Sequence, residues 1–252
     1  MKVNIRSVLR GTAVVVFWLA VWWLAAVAVR QELLLPTPLA VLQTLGELMF
    51  TSSFWKAVFL SLLRIAAGFA AAVVGGTVLA VLCHLFPLLR VLFSPLMHIV
   101  RAAPVASFII LTLVWVYVEA VPIVISFLMV LPIVFINVQE GICRTDTALL
   151  EMAKAYRLPF SRTVKAIYLP SVKPFFMIAC VNGLGFAWKS GIAAEVICRP
   201  DFSIGRQLQS AKLLLETPEV FAWTAVVVVL SLLFEKALLA VTKKGGILHD
   251  NT

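Results

Sequence analysis

Two cations stand inside stretches that are otherwise almost wholly apolar: Arg101, near Ile99-Val100 and Ala102-Ala103, and Lys189, in Phe186-Ala187-Trp188-Lys189. A charge within a bilayer is costly, so such residues usually face the protein interior or a water-filled path. Asn182, Gly185 and Lys189 are spaced i, i+3, i+7, which places them on one helix face. Two assignments are open for that face: it lines a path, or it braces helix packing. As path residues, Arg101 and Lys189 would favour an anionic solute. Arg64 either sits in an apolar span or snorkels to its edge. Glu195 and Arg199, at i, i+4, have the spacing of an ion pair at a helix end. For Arg64 and Glu195 a structural role is the favoured expectation.

Other chemistries find weaker support. Ser190-Gly191 raises an intramembrane hydrolase, but a nucleophile needs a base within hydrogen-bond reach. Neither His84 nor His98 is placed by the sequence to serve as one. Gly183-Leu184-Gly185 lacks the rest of a dinucleotide fingerprint. No G-x-x-x-x-G-K-[ST] occurs, so the chain is not expected to hydrolyse ATP. His84, His98 and His249, and Cys83, Cys143, Cys180 and Cys198, show no metal-ligand spacing, and no disulfide framework is indicated. No cofactor or metal site is expected in this chain.

The elements that position these residues follow from composition. Of 252 residues, 62% are hydrophobic and 13% charged, against about 25% charged in a soluble domain. The apolar residues fall in blocks near the roughly 20 residues that a helix needs to cross a bilayer. Inside lipid every backbone polar group must be bonded within the protein, so the blocks are helices. Continuous rather than alternating apolarity excludes a transmembrane barrel. The class is therefore all-α integral membrane protein. The net charge of +9 lies mostly in short loops, where it sets orientation rather than binding nucleic acid.

The expected organisation has about six spans. Residues 1–35 hold the first, an apolar run at 11–29 behind Lys2, Arg6 and Arg10. Its alternative is a cleaved signal peptide, since Ala26-Val27-Ala28 resembles a cleavage site. Residues 36–56 form an amphipathic helix on the outer surface, capped by Thr37 with Pro38 in its first turn. A core at 57–242 holds spans at 57–86, 91–118, 121–142, 174–196 and 220–241. Within it Pro87 to Arg90 is a short inner loop, and the third span breaks near Arg101 and Pro104. Gly68, Gly75 and Gly76 permit close helix approach in lipid. Residues 243–252 are a tail.

Arg144, Lys154, Arg157, Arg162, Lys165 and Lys173 all follow the fourth span, within 143–173. The positive-inside rule makes that loop cytoplasmic, with both termini on the same side. Asp146 caps a helix whose apolar face is Ala148, Leu149, Met152, Ala153 and Tyr156. Pro159 should end it near Leu158. Ser161 opens a second short helix, ended by Pro170. Such a pair is either an ordinary membrane-surface loop or a set of anchors for a groove in a partner.

Glu151-Met152-Ala153, followed by Ile167-Tyr168-Leu169-Pro170, resembles the EAA motif of ABC importer permeases, which reads E-A-A, then Gly, then I-x-L-P. Leu35-Pro36-Thr37-Pro38, Ser61-Leu62-Leu63-Arg64, the stretch from Arg101 to Phe108 with Pro104, Gly185-Phe186-Ala187-Trp188, Ala193-Ala194-Glu195 and Ile204-Gly205 are similar, in order, to the sulfonate, taurine and nitrate branch of that family. The resemblance implies a type I ABC importer permease fold whose coupling helices enter clefts on an ATPase. It places Glu151, Ala153, Tyr156, Arg157, Leu158, Ile167, Leu169 and Pro170 at that contact. Met152 departs from the motif, and Arg157 stands where the family usually has Gly. The resemblance further implies a homodimer in a bacterial inner membrane, a pair of ATPase subunits that bind ATP and Mg, and an extracytoplasmic binding protein. The translocation path would involve Arg101, Pro104, Asn182 and Lys189. A scaffold that docks an ATPase without forming the path is the alternative, ahead of the hydrolase.

Overall fold

The computed structural model describes residues 5–244, with side chains described for 12–236. Lys2, residues 245–252 with His249, and the side chains of Arg6, Arg10, Lys243 and Lys244 lie outside the described residues. Helices follow one another as α1 (Ile5–Val29), α2 (Pro38–Met49), α3 (Ser52–Leu85), α4 (Pro87–Ala102), α5 (Val105–Thr112), α6 (Val121–Cys143), α7 (Thr147–Ala155), α8 (Phe160–Thr163), α9 (Leu169–Cys198), α10 (Ile204–Leu213) and α11 (Thr217–Lys244). A π-helical turn at Val164–Tyr168 joins α8 to α9. Among the described residues there is no strand.

Five helices are long and apolar enough to cross a membrane, and the α4–α5 pair, bent by 105°, makes a sixth if counted as one broken span. The expected number, about six, agrees with that count, and the fifth span is longer than expected, Phe160–Cys198. Local chemistry sets several helix ends. Thr37 Oγ1 accepts the Ala40 N–H at 3.3 Å, with Pro38 in the first turn, as expected for α2. Thr51 caps α3 in the same way, and Asp146 accepts the Ala148 N–H at 2.8 Å to open α7.

The core is built around α6, against which α3 and α9 both pack along their lengths. Buried there are Ile65, Ala72, Val130, Val134, Val138, Ala179 and Trp188. Helix α6 has 56% of its most apolar window buried, while α1 has 6%. Helix α1 is peripheral and rests on α11, where Trp22 stacks on Phe221 with ring centroids 5.7 Å apart. Two glycines fix the α3–α6 distance. A Cβ on Gly68 would lie 2.3 Å from the Ile123 carbonyl oxygen, and one on Gly76 would lie 2.9 Å from Val134 Cβ. Gly75 meets only ordinary contacts, the nearest at 3.5 Å, so of the three glycines it is not needed for close approach.

Three expectations are corrected. Pro87 to Arg90 is the first turn of α4, because proline suits that position and carries no N–H to satisfy. The helix at 147–155 stops at Ala155, before Leu158. Pro170 does not end a second short helix. Phe160–Cys198 is one helical run of 39 residues, and proline is accommodated because the preceding turn is wound wide. The Leu169 N–H reaches back to the Val164 carbonyl, an i→i+5 bond that opens the helix where the ring of Pro170 would strike a regular turn. The connection after α9 also contains α10, whose N-cap Ser203 accepts the Arg206 N–H on its Oγ at 3.1 Å.

Candidate functional site: a charged cavity, a polar knot and an exposed apolar face

A cavity of about 640 Å³ lies among α4, α6, α9 and α11. Arg101 reaches it from the last turn of α4. Asn182, Gly185 and Lys189 reach it from α9, so the i, i+3, i+7 face does open on one space with Arg101. Asn137 on α6 and Ser231 and Glu235 on α11 complete its polar wall. Glu235 is the cavity's carboxylate and forms no ion pair with Lys189 or Arg101 within 4.0 Å. Two cations facing one carboxylate leave the wall net positive, in keeping with an anionic guest. Pro104 does not line this cavity; it caps α5 and makes the bend that turns α4 away from α5.

A second polar cluster ties together ends of α3, α9 and α10. Glu195 is fully buried. Its Oε2 accepts from Ser61 Oγ of α3 at 2.7 Å and from the Gly205 N–H of α10 at 3.3 Å. Ser61 Oγ also accepts the Ile204 N–H at 3.0 Å. Arg64 stands 4.0 Å from Glu195 Oε1 and donates to the Asp201 carbonyl at 2.9 Å. The carboxylate thus sits at the start of α10, where the helix dipole favours negative charge. Arg64 and Glu195 have the structural role expected, but Glu195 pairs with Arg64 rather than with Arg199. Arg199 instead takes a left-handed conformation, φ 55°, that ends α9. Gly205 is required here, since a Cβ would lie 2.4 Å from Glu195 atoms.

At the opposite end, α7 turns most of its apolar face outward. Leu149, Met152 and Tyr156 are exposed, joined by Phe160 and Leu169, while Ala153 and Ile167 are buried. Glu151, Arg157 and Pro170 are exposed and Leu158 is half-buried. Arg157 adopts φ 49°. The Leu158 N–H bonds to the Ala153 carbonyl at 2.9 Å and the Arg157 N–H to that of Lys154 at 3.0 Å. This is a Schellman motif, normally built with glycine at the left-handed position. Arg157 therefore makes the same turn that glycine would, and Pro159 follows it rather than replacing it.

Ser190 Oγ donates to the Phe186 carbonyl of its own helix at 2.8 Å, so it is occupied as a helix-backed hydroxyl. His84 packs edge-on to Tyr168. Among the described residues no group of three or more His, Cys, Asp or Glu could hold a metal ion, and the four cysteines are free.

Residues 72–241 match the family model described as binding-protein-dependent transport system inner membrane component. The chain is 26% identical over 246 residues to the taurine transport system permease protein TauC of Escherichia coli K12, covering 95% of this chain and 89% of that protein. It is 23% identical to the putative aliphatic sulfonates transport permease protein SsuC of Bacillus subtilis 168, covering 86% of this chain and 78% of that protein. The fold superimposes on a crystal structure of an amino acid ABC transporter with histidines at a TM-score of 0.65, with 16% identity over 79% of this chain and 97% of the other.

Proposed function

The chain belongs to the binding-protein-dependent transport system inner membrane components, and from that premise we propose which of its parts carry the solute and which meet the motor. It is a non-catalytic permease subunit of an ABC importer, and ATP hydrolysis belongs to a separate ATPase. The family implies that ATPase and a substrate-binding protein as partners.

The solute path runs through the cavity that gathers Arg101, Asn182 and Lys189. That gathering is the observation that carries the reading: three residues from two helices, each costly in lipid, open on one space. The cargo is a small anion of the sulfonate or aminosulfonate kind, held by Lys189 and Arg101 and handed on by a binding protein. The resemblance to taurine and sulfonate permeases supports this class. The test is reconstituted uptake of taurine and ethanesulfonate with the cognate ATPase and binding protein. Lys189→Ala should lower uptake of both by roughly tenfold or more, the loss of one favourable charge in a low-dielectric cleft. Unchanged uptake and unchanged substrate-stimulated ATPase activity would remove Lys189 from the path.

The exposed face of α7, with Phe160 and Leu169, is the dock for the ATPase. The partner ATPase binds ATP and Mg within itself, and two copies of this chain close around the path. Both termini and the 143–173 loop face the cytoplasm, as the charge bias requires. Glu151→Arg should release the ATPase in a pull-down or leave its activity unlinked to uptake; neither defect would sink the docking assignment.

A further inference from the structure

A smaller cavity, about 120 Å³, lies below the first between the inner halves of α4 and α6 and shares the wall residue Ile136 with it. Arg90, Ser94 and His98 line it from α4, and Gln139 and Glu140 from α6. Arg90, Ser94, His98 and Arg101 are spaced i, i+4, i+8, i+11, which at the helical repeat puts them within one arc of about 80°. The other faces of α4 are apolar. Leu88, Leu92, Leu96 and Ile99 are exposed on one side, and Met97 and Val100 are buried against the core on another. A helix with a polar strip continuous over three turns, in a protein read as crossing lipid, has that strip facing water or solute. The carboxylate of this cavity is already engaged, since Glu140 Oε1 accepts from Arg144 Nε at 2.6 Å, so the strip presents cation and donors.

We propose that the strip Arg90–Ser94–His98–Arg101 is the inner half of the solute path. An anion leaving Lys189 and Arg101 is passed down α4 by His98 and Ser94 and released to the cytoplasm at Arg90. The bend at Ala103–Pro104 is what makes this geometry possible: it ends α4 with Arg101 in the wide cavity and leaves the strip below it undisturbed. This inference rests on the reading of the larger cavity as the path, and the strip assigns anion selectivity to residues on α4 as well as α9.

The experiment is thiol accessibility in the reconstituted transporter with its ATPase, in a Cys143→Ser background because Cys143 lines the smaller cavity. Variants Ser94→Cys, His98→Cys, Lys189→Cys and, on the apolar face, Leu92→Cys are treated with an anionic sulfonatoethyl and a cationic trimethylammonium-ethyl methanethiosulfonate. Assembly of each is verified by co-purification of the ATPase. Ser94→Cys and His98→Cys are expected to react roughly tenfold faster with the anionic reagent than with the cationic one, as a cleft of one charge sign concentrates its counter-ion. Leu92→Cys is expected to favour neither. Equal rates with the two reagents at Ser94→Cys and His98→Cys, or rates no higher than at Leu92→Cys, overturn the inference. If Lys189→Cys reacts while those two do not, only the inner route falls. If Lys189→Cys does not react either, the path reading itself falls with it.

Discussion

At the scale of single residues, the two least comfortable side chains are Arg157 and Arg64. Arg157 holds a left-handed conformation that costs a non-glycine residue about 1 kcal/mol or somewhat more. Arg157→Gly should therefore raise the thermal unfolding midpoint of the detergent-solubilised complex slightly, unless the arginine contributes to the dock, in which case ATPase retention falls at the same time. Measuring both separates strain from contact. Arg64 offers the opposite case. Its partner Glu195 is fully buried, and Arg64 Nη1 and Glu195 Oε1 have no hydrogen-bond partner. Removing one member of a buried pair costs roughly 3–5 kcal/mol, while removing both is far milder. Arg64→Met should unfold at markedly lower temperature than wild type, and Arg64→Met with Glu195→Gln should regain much of the loss. A double variant as unstable as the single one would show that the pair is not what holds α9 to α3.

At the scale of elements, the spans were legible because each is an apolar run of bilayer length, and the short helices α2 and α7 because Thr37 and Asp146 cap them. The gathering of Arg101 with Asn182 and Lys189 was legible as well, from the single rule that charge in lipid seeks water. The same rule applied to the sixth span would have singled out Glu235, which reaches the cavity from α11. What the chain hid were junctions. Pro170 reads as a helix stop because proline removes one hydrogen bond, and only a widened turn upstream lets the helix continue. Helix α10 was obscured by its polar surface, although Ser203 followed by Ile204, Leu208 and Ala211 carries its cap and its inner face. Arg64 and Glu195 are 131 positions apart, and no local pattern pairs them. Close approach gives a further prediction at this scale. Gly68→Val should separate α3 from α6, because the Cβ would be 2.3 Å from a backbone carbonyl that cannot turn aside. The expected result is loss of folded protein in size-exclusion chromatography. Gly75→Ala, with its nearest contact at 3.5 Å, should elute as wild type.

At the scale of the whole molecule, orientation can be read from two native thiols. Cys143 is exposed at the loop end of α6, and Cys198 is half-buried at the other end of the bundle. With the charged loop in the cytoplasm, a membrane-impermeant maleimide should label Cys143 in inverted vesicles and not in intact spheroplasts. Labelling of Cys143 from the outside would invert the topology and with it the assignment of the dock.

The unbroken helix from Phe160 to Cys198 has a mechanical consequence. At 39 residues it measures about 58 Å, nearly twice the hydrocarbon thickness, so on the proposed docking it would act as a lever with an arm on either side of the bundle. Its fulcrum lies where Gly183 and Gly191 bring it against Val130 and Ser126 of α6. If the ATPase docks as proposed, a push on Phe160 or Leu169 would swing Lys189 and, through the Gly205 N–H bond to Glu195, carry α10 with it. A rotation of about 5° would displace the two ends by several ångströms relative to each other, a stroke of the size that opens or shuts a narrow passage. The widened turn before Pro170 would be the joint of that lever, lying next to the proposed dock.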